Sequence, residues 1–96
     1  PHASKLDQAV SKIYVEGEIK KPGVYDYQPG MTAMSACILA GGFDKYAAIS
    51  RTKIIRTKAN KKQEIIKIDL KKVTNGEIPD IAIQPGDRIH VPETWL

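Results

Sequence analysis

A chain of 96 residues can bury one small core and has too little mass for two. Its 42% hydrophobic and 27% charged residues are those of a globular domain, and it lacks the run of about 18 apolar residues that a membrane-spanning helix needs. The net charge is +4, and the single cysteine, Cys37, excludes an internal disulfide framework.

The chain opens at Pro1 on a polar stretch with no apolar secretory core, and residues 1–11 read as a linker or the remnant of a preceding segment. This predicts an excerpt from a longer protein, whose location these residues leave open. From Lys12 the period becomes two. Ile13, Val15, Gly17 and Ile19 share one face, and Tyr14, Glu16 and Glu18 the other, which predicts a strand with one buried side. Pro22-Gly23 predicts a turn with positive φ at Gly23, and Val24 to Gln28 alternates again as the second arm of a hairpin. Mid-strand Gly17 predicts a bulge or a close backbone approach.

After Pro29-Gly30, Thr32 is positioned to cap a helix over Ala33 to Ala40, its hydroxyl accepting from a free backbone N–H. Gly41-Gly42 ends that helix, with one glycine in the left-handed C′ position. Two to three turns are not stable alone, so the helix must lie on the sheet, and its alanines predict close packing. Cys37, inside this apolar run, reads as a small buried hydrophobe. Arg51 to Lys58 and Gln63 to Leu70 form a second hairpin around Ala59 to Lys62. Leu70 to Thr74 predicts one helical turn closed by Asn75-Gly76, and Arg88 to Val91 a last strand after Pro85-Gly86. The order ββ, helix, ββ, helical turn, β predicts an α+β fold of the β-grasp (ubiquitin-like) type. Such a fold is a mixed sheet of about five strands with one main helix on one face and the last strand central. A small β-barrel is the alternative.

Three pieces of the chain resemble a known family. Ile13 to Ile19 with Lys21-Pro22-Gly23-Val24-Tyr25 looks like the first hairpin of SLBB (soluble ligand-binding β-grasp) domains. Pro29-Gly30-Met31-Thr32 leading to Leu39-Ala40-Gly41-Gly42-Phe43 is similar to the turn, helix and glycine stop that follow there, and Ile83 to Pro92 to the closing strand. The resemblance spans residues 12–93, leaving 94–96, with Trp95, as a tail or junction. Among SLBB proteins it points to the polysaccharide biosynthesis and export family of Gram-negative bacteria. It implies a non-enzymatic periplasmic module of a ring-forming, outer-membrane-associated exporter of capsule or exopolysaccharide. The implied partners are further copies in the full-length parent, the polysaccharide and an inner-membrane export partner. Membrane contact would be made only by parts outside this fragment.

The residues themselves offer no catalytic signature. His90 alternates outward from Ile89 and Val91 as a surface strand residue, and Glu16 and Glu18 read as a solvated face rather than an acid/base pair. No cofactor motif, metal spacing or phosphate-binding glycine loop occurs; Gly41-Gly42 follows its helix instead of preceding it.

Between Arg51 and Lys72 nine basic residues face Glu64 and Asp69, a local charge of +7 that leaves −3 for the rest. This segment could attract an acidic glycan, or its lysines could simply keep a hairpin soluble and its edge unpaired. Arg51 and Lys53 have one strand parity, Arg56 and Lys58 the other, which divides the charge between faces. For direct ligand binding the candidates are Tyr25, Tyr27, Arg51, Lys53 and Arg56, the tyrosines through stacking on sugar rings. All four tyrosines lie outside the basic segment, which argues against single-stranded nucleic acid as partner.

Overall fold

The computed structural model describes residues 11–94. The expectations for the linker before Ser11 and for Trp95 lie outside the described residues. Strands β1 (Lys12–Gly17) and β2 (Gly23–Asp26) precede helix α1 (Ala33–Leu39). A 3-10 turn (Ile49–Arg51) leads into β3 (Thr52–Thr57) and β4 (Gln63–Ile68), followed by the single-turn helix α2 (Leu70–Thr74) and β5 (Arg88–Val91).

The strands form one sheet in the order β2-β1-β5-β3-β4. Both hairpins are antiparallel, and β5 runs between them, parallel to β1 and antiparallel to β3. This is the mixed, helix-covered sheet that the element order predicts, with the last strand central. Alternation then decides the faces. Ile13, Val15, Ile54, Ile89 and Val91 point to the covered side and are at most 1% exposed. Ala33, Ala36, Cys37 and Ala40 of α1 close over them, and Leu70 and Ile83 seal the end. Each large aliphatic side chain buried this way contributes about 1.5–3 kcal/mol. Alanines at the contact let the helix backbone approach closely, so a helix of seven residues suffices.

Helix termini follow the sequence closely. Thr32 and Ser35 make a reciprocal cap: the Ser35 N–H donates to Thr32 Oγ1 at 3.2 Å and the Thr32 N–H to Ser35 Oγ at 2.8 Å. At the other end both Gly41 and Gly42 have positive φ, and their N–H groups donate to the Ile38 and Cys37 carbonyls. Asp69 caps α2, accepting from the Lys71 and Lys72 N–H groups.

One local expectation fails. Gly23 does not have positive φ but starts β2 as ordinary extended backbone. The reversal is spread over a longer loop. Gly17 takes positive φ instead, and the Lys20 and Lys21 N–H groups donate to the Gly42 and Ala40 carbonyls. The first hairpin therefore bends toward the end of α1, an interaction that a two-residue turn could not make.

Candidate functional site

Among the described residues no helix covers the second face of the sheet, and the strand register writes its surface row by row. One row crosses all five strands: Val24, Tyr14, Arg88, Ile55 and Ile65. The next runs Glu16, His90, Lys53 and Lys67. The first row is largely apolar, with Ile65 60%, Val24 58% and Tyr14 38% exposed. The Arg88 guanidinium lies 5.7 Å from the Tyr14 ring centroid, a cation–π contact that holds the middle of the row. Sequence reading did not single out Ile55 and Ile65. The signal was available in the pairs Ile54-Ile55 and Ile65-Ile66, which break alternation and so give each strand an apolar residue on both faces.

The second row changes charge along its length. Glu16 receives Arg88 Nε at 3.4 Å and lies 3.1 Å from His90 Nδ1, so the acidic end is neutralised locally. Glu18 follows Gly17, where β1 ends, and is not its neighbour along the strand. The basic end is different. Lys53 and Lys67 are direct cross-strand partners, an arrangement that like charges disfavour. Neither forms an ion pair among the described residues.

Beside them a cleft of about 370 Å³ is lined by Ser50, Arg51, Lys53, Lys67 and Pro92. The chain after β5 builds its rim. Ala47 bridges to Glu93, the Ala48 N–H donates to the Pro92 carbonyl at 2.7 Å, and Arg51 Nη2 donates to the Glu93 carbonyl at 2.9 Å. Thr52, fully buried, ties the 3-10 turn down by donating to the Ile49 carbonyl. Arg51 is thus held by a backbone oxygen, and the charge of its guanidinium is not cancelled.

The other sequence candidates are placed elsewhere. Arg56 turns toward the covered side and forms a two-pronged ion pair with Asp87: Nε to Oδ1 at 3.1 Å and Nη2 to Oδ2 at 2.9 Å. Asp87 is 1% exposed and also accepts from the Gln84 N–H at 2.8 Å. That hydrogen-bonded pairing pushes the Arg56 pKa further above its ordinary value. Tyr25, on the covered face of β2, and Tyr27, just beyond its end, are half-buried against the core. The Tyr25 hydroxyl donates to the Lys21 carbonyl. Tyr27 lines a separate polar hollow of about 430 Å³ with Ser11, Lys12, Asp26 and Gln28. Of the five candidates the fold unites Arg51 and Lys53 and adds Lys67, leaving the tyrosines and Arg56 apart.

Cys37 is fully buried on α1. Its thiol is pushed up to about 12, by desolvation first and by the nearby Asp80 charge second. The folded state therefore keeps a proton that an unfolded chain loses above the ordinary thiol pKa of 9.0. Its contribution to stability is complete below pH 9.0 and falls as pH rises toward 12. A thiol-specific reagent at pH 8 is expected to label Cys37 no faster than the domain opens; rapid labelling of the native chain would contradict this. Among the described residues no cluster of His, Cys, Asp or Glu could hold a metal ion.

The model of the SLBB domain family matches residues 11–91, which include every strand, both helices and most of the cleft. No curated protein matches the chain.

Proposed function

We propose, from the premise that the chain belongs to the SLBB domain family, that it is a non-enzymatic building block of a polysaccharide export protein, acting through contacts between copies. SLBB domains occur in periplasmic polysaccharide export proteins, and the family is a binding rather than a catalytic one. The observation that carries the reading is the uncovered sheet face. Val24, Tyr14, Ile55 and Ile65 form an apolar row on four of the five strands, interrupted by Arg88 on β5, and burying such apolar surface against a neighbour is favourable by about 25 cal/mol per Å². Residues 12–93 are the domain in this reading. The parent protein is an oligomeric ring associated with the outer membrane, meeting an inner-membrane partner and the polymer it carries. A contact between unlike faces of successive copies gives a ring when the rotation from one copy to the next closes, which is the arrangement this role requires.

Ile65→Asp in the full-length parent tests the reading. Ile65 is 60% exposed, so the fold should change by no more than about 0.5 kcal/mol, while the ring dissociates in sedimentation. A wild-type parent that sediments as a monomer in detergent would overturn the proposal. A variant that assembles normally would remove the sheet face from it.

A further inference from the structure

The cleft between the start of β3 and the ends of β4 and β5 holds three cationic side chains, Arg51, Lys53 and Lys67, with Ser50 and Pro92. Elsewhere on the sheet the basic groups have acidic partners: Lys12 pairs with Asp26, Arg56 with Asp87, Arg88 and His90 with Glu16. In the cleft, among the described residues, none of the three does. Two of them face each other directly across the β3–β4 ladder, which costs repulsion unless an anion is shared between them.

We infer that this cleft binds the carboxylate group of an acidic glycan, one built from uronic acid units. Arg51 is fixed in place by the Glu93 carbonyl through Nη2, and its remaining N–H donors form the fork that matches a planar carboxylate. Lys53 and Lys67 supply flexible point charges on either side. The Ser50 hydroxyl is available to a sugar hydroxyl, and Pro92 gives one apolar wall. A volume of about 370 Å³ lies within the range of small-ligand sites, of order 300–1,000 Å³. Among the described residues no aromatic ring lines the cleft, so these residues offer no stacking platform of the kind that single-stranded nucleic acid uses. The choice of a glycan as the source of the carboxylate rests on the export reading above; the anion site itself does not.

The 96-residue chain, labelled for NMR, is titrated with oligogalacturonate, with neutral dextran, with dextran sulfate and with poly-glutamate. Oligogalacturonate is expected to shift the amides of Ser50 to Lys53, Lys67 and Glu93 with a Kd of about 1 mM or tighter. Its affinity should fall as salt is added. The double variant K53E/K67E should weaken binding at least tenfold, whereas K61E/K62E at the hairpin tip, with the same change in net charge, should change it less than twofold. Absence of shifts at about ten times that concentration would overturn the inference. So would equal loss in the two variants, since binding would then follow net charge alone. Equal shifts with neutral dextran would remove the carboxylate from recognition, and tighter binding of poly-glutamate would point to an acidic protein instead. Stronger binding of dextran sulfate would replace uronate by sulfate and equally overturn it. A monomeric parent would defeat the export proposal while leaving every one of these outcomes readable.

Discussion

Arg56→Met is expected to destabilise the domain by about 3–5 kcal/mol, because it leaves the Asp87 carboxylate buried beside an apolar side chain. Asp87 is 1% exposed and Arg56 itself only 18%, so little solvent is available to compensate either partner. The loss takes away both prongs of the ion pair and also the Arg56 contact to the Ala82 carbonyl at 3.4 Å. The Gln84 N–H to Asp87 bond remains but cannot balance a full charge alone. For a domain of this size, about 1 kcal/mol shifts the melting temperature by 4–8 °C, so a drop of at least 12 °C is expected in thermal denaturation. Adding Asp87→Asn should recover more than half of the loss, since the buried group is then neutral and still accepts from Gln84. Arg56→Met within 1 kcal/mol of the wild type would show that the pair is not what holds this corner. The same experiment separates structure from binding: Arg56, despite its place in the basic segment, should leave the affinity for acidic glycan nearly unchanged wherever the variant stays folded.

Gly17→Ala is expected to cost at least about 3 kcal/mol. Gly17 has φ +95°, and a Cβ there would lie 2.1 Å from the Val91 carbonyl oxygen. The left-handed conformation alone costs an L-residue about 1–2 kcal/mol. The rest comes from the clash, because Val91 is held from both sides: its carbonyl accepts from the Glu18 N–H at 2.8 Å, and β5 is the central strand. Relief requires β1 and β5 to separate at the end of their parallel ladder, which also disturbs the Glu16–His90 contact. Gly23→Ala is the matched control. A Cβ at Gly23 meets nothing within 4 Å and its φ is ordinary, so that variant should be neutral or gain up to about 1 kcal/mol through the unfolded chain. Chemical denaturation of both variants measures the difference; equal stabilities would contradict the close approach.

Much of this fold is legible in local pattern. Alternation at Ile13 and Val15 correctly marks a buried face because a strand turns successive side chains to opposite sides whatever it pairs with. Thr32, Gly41-Gly42 and Asn75-Gly76 mark helix ends because capping involves groups only a few residues apart. Gly17 stands out as a glycine where a strand should have a side chain. The failure at Gly23 has a tertiary cause: the Lys20 and Lys21 N–H groups find partners at the end of α1, about twenty residues later, and the loop opens to reach them.

The candidate site is less legible. Parity separates Arg51 and Lys53 from Arg56 and Lys58, and Lys53 and Arg56 do emerge on opposite faces. Nothing local says that the buried partner of Arg56 is Asp87, 31 residues away. Tyr25 and Tyr27 carry the right chemistry for sugar stacking, yet both are half-buried against the core, and the Tyr25 hydroxyl is engaged by Lys21.

By itself, then, the sequence determined the element types, the covered faces of β1 and β5, the helix ends and the kinship with SLBB domains, all of which depend on neighbours within a few residues or on motifs in order. Only the tertiary structure decided which charges meet. The β3–β4 register sets Lys53 against Lys67, and the return of the chain after β5 brings Pro92 and the Glu93 carbonyl beside Arg51. Register and chain return are fixed by the whole core closing at once. A cleft assembled from three separate stretches of chain exists only after that closure.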